Sequence, residues 1–279
     1  MRVVVTGATG FIGARLVAAI KTHGHEVKGL VRSPRAAEHV EAVGDLLDPD
    51  FDVDALVDGF DMVLHATSTT DGSNAAVWDG NVEPARRISA AASRSGARLV
   101  YISTTGVYGR SFGSFEDANQ IPRRATSALS RARVAAEDHV FGAGGTVIRP
   151  HIVYGDGDRW VVPQLVRSML ALEAWIGSSD IAVAAISVER LAAATAALLH
   201  RNLPQALHAA ETSPVTIRSL IEPEFQRLEK PLPQRFLRLG EAHDRLRRLG
   251  VSENALAMVG APSNVNAAAF WGLAGASTP

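Results

Sequence analysis

The stretch RVVVTGATGFIGARLVAAIKTHG, residues 2–24, decides the fold. It opens on a short run rich in β-branched residues, carries glycines at 7, 10 and 13, then spaces apolar residues three and four apart until Gly24. That order predicts a strand, a tight turn and a helix stopped by glycine. Gly7 permits the turn, Gly10 lets the backbone approach a pyrophosphate, and Gly13 lets the helix pack closely on the strand, with helix N–H groups facing the anion. A turn that merely needs glycine would look the same in isolation. The strand–turn–helix context is what favours a dinucleotide site, in which Thr9, Phe11 and Ile12 count with the glycines as cofactor-binding positions.

The pattern continues outward from this unit. HEVKGLVR (25–32), DMVLHAT (61–67), ARLVYIST (97–104) and GTVIRPHIV (145–153) are further strands, separated by helical stretches such as EPARRISAAASRSG (83–96) and ALSRARVAAEDHVFG (128–142). Alternation of this kind predicts an α/β protein of the Rossmann type, a doubly wound parallel sheet, over residues 1–154. Beyond Pro150 the pattern changes. YGDGDRW (154–160) is loop-like, VVPQLVRSMLALEAWIG (161–177) is helical, and short strands and helices follow. Residues 155–279 are expected to form a smaller substrate-binding lobe, packed discontinuously.

An NAD-specific site would place an acidic residue about 20 positions beyond the glycines to bind the ribose 2′-hydroxyl. Here the second strand ends in LVRSPR (30–35). Arg32, Ser33 and Arg35 could instead clamp a 2′-phosphate through charge-assisted bonds, so the expected cofactor is NADPH/NADP+; a solvated basic loop is the alternative.

Composition excludes several function classes. With 279 residues, 47% apolar content and 28 basic against 29 acidic side chains, the chain can bury a large core and has no global field for nucleic acid or an anionic membrane. There are no cysteines, so disulfides, thiolate chemistry and sulfur-ligated zinc are ruled out, and no other metal-ligand spacing stands out. The apolar stretch 181–199 is broken by Glu189 and Arg190, which argues against a membrane span. A cytoplasmic location is expected; the oligomeric state is not legible.

The motifs TGATGFIG (6–13), GDLLD (44–48), VLHAT (63–67), Asn81, YISTTGVYG (101–109), IRPHIVYG (148–155) and SVERLA (187–192) together resemble the extended or atypical short-chain dehydrogenase/reductases, the epimerase/dehydratase-like family, over residues 1 to about 220. That resemblance implies that Asp45 and Leu46 border an adenine and that Ala66 and Thr67 line the cofactor ribose. It places Pro150, His151, Ile152 and Val153 along the nicotinamide. Thr104, beside Ser103, falls at the family's catalytic serine or threonine, although hydroxyls there could simply cap a strand end.

The family continues with a tyrosine, a lysine four later, and often a glutamate four beyond. Glu137 anchors that alignment and puts Arg133 at the lysine position and Leu129 at the tyrosine position. No slip restores the pair, because the three tyrosines are 101, 108 and 154 and none has a lysine four residues on. Hydride addition to a ketone builds an alkoxide that needs a proton, a task worth about 10²–10⁴ in rate. Leucine has none, and Arg133 stays ionised, though it can hold the cofactor ribose and stabilise an oxyanion.

Three explanations stand open: donation by Ser103, Thr104, Tyr108 or His151; a phenol on the substrate itself; or no reaction, the chain being an NADP(H)-binding scaffold. The departure is similar to that of the tyrosine-less ketoreductases of aromatic polyketide, angucyclinone-type, antibiotic pathways. This resemblance implies NADPH-dependent reduction of a carbonyl on an aromatic polyketide with a substrate-derived proton. Nucleotide-sugar epimerisation or dehydration ranks behind it, since those reactions also lean on the absent tyrosine. Trp160, Met169, Trp175 and Phe225 are candidates to meet a flat ligand, with ordinary core packing as the alternative for each.

Overall fold

A computed structural model describes residues 1–33, 42–109, 117–213, 215–249 and 262–275. The chain runs β1 (Arg2–Thr6), α1 (Phe11–Thr22), β2 (Glu26–Val31), β3 (Ala42–Val43), α2 (Val53–Val57), β4 (Met62–His65), α3 (Asn74–Ser95), β5 (Arg98–Ile102), a 3₁₀ turn (Thr105–Tyr108), α4 (Ala128–Gly142) and β6 (Thr146–Pro150). It continues through β7 (Ile152–Tyr154), α5 (Val162–Leu172), β8 (Ala174–Ile176), β9 (Ala182–Val183), β10 (Ala185–Ser187), α6 (Val188–Ala197), β11 (Ala206–Ala209), β12 (Val215–Thr216), α7 (Ile217–Arg227), β13 (Arg235–Leu237), α8 (Leu239–Leu246) and α9 (Ala268–Ala274).

Seven strands form one sheet in the order β11-β6-β5-β4-β1-β2-β3, with every pairing parallel. A parallel strand covered on both faces needs apolar residues in succession, and Val3, Val4 and Val5 of β1 are fully buried. On one face α1, α6 and α9 contribute Leu16, Ile20, Leu191, Phe270 and Trp271 to the core. On the other, α3 and α4 contribute Ile88, Ala92, Ala136 and Val140. From β1 the chain proceeds to β2 and β3 on one side, and β4, β5 and β6 lie on the other. A doubly wound sheet opens its binding crevice at such a reversal, outside the carboxyl ends of the strands.

The second half of the chain divides between two bodies. α6, β11 and α9 belong to the sheet and its covering layer. The remaining part forms a lobe in which α5 packs on α7 around Ile152, Met169, Trp175, Ile217 and Phe225, with β8, β13 and α8 alongside. Ile152 of β7 already packs in this lobe, while residues 188–210 return to the sheet and its covering layer. Met169, Trp175 and Phe225, considered for a flat ligand, are at most 1% exposed and make up the lobe's own core. Large apolar side chains with this spacing gain more from burial against one another than from waiting for a ligand. Among the described residues no helix is long and apolar enough to cross a membrane.

Candidate active site

At the sheet's reversal the glycine loop is shaped by what it leaves out. Gly7 has φ +69°, a conformation that disfavours any side chain, and its carbonyl accepts the Gly10 N–H at 2.8 Å. A Cβ on Gly13 would lie 2.0 Å from the Gly7 oxygen, so only glycine lets α1 start this close to β1. Gly10 caps α1 without any side-chain bond, and the first turn carries no acidic residue. The helix thus presents its opening N–H groups bare, the arrangement that receives a phosphate anion. These residues fit the pyrophosphate of a dinucleotide.

The cleft above the loop is lined by Gly7, Thr9, Gly10, Phe11 and Ile12, by Arg32 at the end of β2, by Asp45 and Leu46 after β3, and by Ala66 and Thr67 after β4. Gly13 acts from beneath, through packing. Ser33 is exposed beyond the cleft, and Arg35 lies outside the described residues. Asp45 accepts the Leu47 N–H at 2.9 Å, shaping its own loop. Arg87 of α3 binds the carbonyls of Leu46, at 2.9 Å, and Phe51, at 2.5 Å, and so fixes the same segment from behind. Sequence reading passed over that arginine because its role depends on a contact 41 residues away.

At the other end, Arg133 reaches into the cleft from α4. It donates to the Tyr101 hydroxyl at 2.6 Å, the Ile102 carbonyl at 3.0 Å and the Ser68 hydroxyl at 2.6 Å, while its buried Nε has no partner among the described residues. Ser68 in turn donates to Asn81, whose amide holds the Thr69 and Val77 carbonyls, each at 2.7 Å. His65 stacks on Tyr101 and pairs with Thr6 at 2.7 Å. Burial, with the nearby Arg133 charge, lowers its pKa to about 3, so it stays neutral. Burial pushes the Tyr101 phenol up; it is no poised acid.

The hydroxyls of Ser103 and Thr104 diverge. Ser103 lines the cleft, but its hydrogen goes to Glu137 at 2.6 Å. Glu137 is fully buried and paired with buried Arg149 through bonds of 2.9 and 2.7 Å. Arg149 also donates to Tyr108, whose hydroxyl meets His208 at 2.7 Å. This network occupies Ser103 and Tyr108. Thr104, half-buried, accepts the Gly106 N–H at 3.1 Å.

His151 is buried against Thr105 at 2.8 Å, Pro150 ends β6 in the core, and Ile152 is 0% exposed. These three, and half-buried Val153, are not among the residues that line the cleft. Leu129 is half-buried in the first turn of α4 and offers no polar atom. Trp160 does reach the cleft, 45% exposed and 6.2 Å from the Phe11 ring. Its loop is tied to α1 by Arg15, which bonds Asp156 at 2.7 and 3.0 Å. Among the described residues no cluster of side chains could hold a metal.

Residues 3–199 match the NAD dependent epimerase/dehydratase family. The chain belongs to that family. Its cofactor class is a nicotinamide dinucleotide, which agrees with the bare helix end and the glycine cradle. A ketoreductase of Stigmatella aurantiaca that acts on a farnesylated dihydroquinoline oxide is 30% identical over 60% of this chain and 54% of its own length. The 2-alkyl-3-oxoalkanoate reductase of Stenotrophomonas maltophilia is 32% identical over 59% and 54%. The chain spans about half the length of these curated relatives. Among solved structures, WbmH of Bordetella bronchiseptica in complex with NAD+ superposes with TM-score 0.71 at 18% identity, covering 97% of this chain and 98% of that one. At that identity the likeness shows the fold.

Proposed function

We propose that this chain is an NADPH-dependent ketoreductase that works without an enzymatic tyrosine acid, on an aromatic, polyketide-type ketone that carries its own phenolic proton. One observation carries the reading: Arg133 is held in the cleft by three hydrogen bonds, while Leu129, which the resemblance sets at the family's acid position, has no proton to give. A bound nicotinamide supplies a hydride for a carbonyl carbon. The chain's residues must then steady the oxygen on which negative charge grows.

Arg133 provides a fixed positive charge for that oxygen and a donor for the cofactor ribose. Thr104 orients the carbonyl. Of the candidate donors, Ser103 is committed to Glu137, Tyr108 sits in the Arg149 network and His151 is buried against Thr105; burial has also raised the pKa of Tyr101. A phenol beside the carbonyl passes its proton to the reduced oxygen at the high effective concentration of a tethered group, and the phenolate recovers one from water. Curated relatives that are named reductases favour carbonyl reduction over sugar epimerisation. Arg32 at the cleft edge, with Arg35 nearby in sequence, supports NADPH over NADH.

The test uses NADPH deuterated at the transferable position with a phenol-bearing aryl ketone. One deuterium on the product's carbinol carbon is expected. Tight NADPH binding with no transfer across a panel of aryl ketones would favour an inactive scaffold, and turnover of a nucleotide sugar would overturn the reductase reading.

A further inference from the structure

Hydroxyl groups gather where α4 faces the turn after β5. Thr104 accepts the Gly106 N–H through its side-chain oxygen, and its own hydrogen has no acceptor among the described residues. Ser127 caps α4 by accepting the Ser130 N–H at 3.0 Å, and the Ser127 and Ser130 hydroxyls lie 2.7 Å apart. Two hydroxyls that share one mutual bond leave one hydrogen over. With Ser127 donating, that hydrogen belongs to Ser130.

Both oxygens face one bare backbone position. A Cβ built on Gly106 would stand 3.4 Å from Thr104 Oγ1 and 3.5 Å from Ser130 Oγ. With Ser127 as the donor of that pair, two unused donors flank the space beside Gly106, and among the described residues no carboxylate is bonded to either.

We propose that Ser130, with Thr104, forms a two-donor seat for paired substrate oxygens, namely a ketone oxygen and a hydroxyl hydrogen-bonded to it. The inference rests on the reductase reading and specifies the ligand chemistry that this site accepts. Ser130 follows the leucine that replaces the family's acid, so the helix turn that has lost a phenol keeps a hydroxyl. Serine keeps its own proton. When the substrate's phenolic proton moves to the reduced oxygen, the negative charge left on the phenolate strengthens the hydrogen bond from the donor seated on it. Ser130 is then a catalytic residue by contact, and Gly106 a specificity determinant by absence.

The probe is 8-hydroxy-1-tetralone, used with the full chain and NADPH. Ser130→Ala should lower kcat by about 10²-fold, the usual cost of losing one oxyanion donor. Ser130→Thr should restore most of it. Gly106→Ala places a methyl group in the gap and should lower kcat similarly while leaving NADPH affinity unchanged. A second readout is the absorbance of the bound phenol in the NADP+ complex. Its titration should move to lower pH on the wild type and return toward the free value in Ser130→Ala.

If the wild type reduces the tetralone and Ser130→Ala changes neither kcat nor the phenol titration, this inference alone is overturned. If the wild type binds NADPH but neither binds nor reduces the tetralone, the reductase reading fails and the inference falls with it.

Discussion

The two ends of the cleft are built on different principles. The phosphate end is made of backbone: Gly7 turns, Gly13 admits the Gly7 carbonyl, and α1 begins with uncapped N–H groups. The hydroxyl end is made of side chains held by other side chains, with Ser103 on Glu137, Glu137 on Arg149, and Arg133 on Tyr101 and Ser68. A backbone site fails when an atom is added. A side-chain site fails when a partner is removed, because the survivor is left buried and unpaired.

The largest effect should come from the hydroxyl end. Glu137→Ala strips the partner from buried Arg149 and should destabilise the protein by about 3–5 kcal/mol, read from urea denaturation. A loss below about 1 kcal/mol would show that water or rearrangement replaces the pair. At the phosphate end, Gly13→Ala forces a methyl group against the Gly7 carbonyl and should cost roughly 3 kcal/mol, with loss of NADPH binding by calorimetry. Retained binding would mean that the loop can shift, contrary to a backbone-built site.

Acid probes the side-chain end through two buried histidines. Burial is the chief cause of the lowered values, about 3 for His65 and about 4 for His208, against 6.5 when unfolded. Below pH 6.5 the unfolded chain therefore binds protons that the folded one refuses, and stability falls as pH drops. Each should cost roughly 1.4 kcal/mol per pH unit, or about 2 kcal/mol by pH 5, with the loss levelling near pH 4 for His208 and pH 3 for His65. Urea midpoints across this range for the wild type and a His208→Asn variant check it; an unchanged slope in the variant would remove His208 from the account.

Cofactor choice is a smaller effect. Replacing Arg32 and Arg35 by alanine should weaken NADPH about tenfold or more while leaving NADH nearly unchanged, as loss of charge-assisted bonds to a 2′-phosphate requires. Equal losses would reject the assignment. The smallest expected change is none. Leu129→Tyr should not speed reduction of a ketone that carries its own phenol, and a large gain in kcat would show that an enzymatic proton was limiting.

This contrast also explains what the sequence disclosed. Backbone sites need glycine at fixed spacing, so Gly7, Gly10 and Gly13 announce the strand–turn–helix and, with it, the parallel sheet. The return of α6 and β11 to that sheet left no comparable mark, because a short apolar strand such as Ala206–Ala209 reads alike in either body. Trp160 and Trp175 are both tryptophans near helical stretches, yet one lies at the cleft and the other in the lobe core. Ser130 and Arg87 drew no notice, since their significance depends on partners brought near only by folding. The departure at Leu129 was legible only through the family resemblance, which takes its register from Glu137.

The central claim is that the substrate brings the proton. The measurement that tests it most directly follows NADPH oxidation with 8-hydroxy-1-tetralone and with its 8-methoxy counterpart, under the same conditions. The account predicts turnover of the free phenol and little or none of the methyl ether. Comparable turnover of both would contradict it and assign the proton to a side chain of the protein.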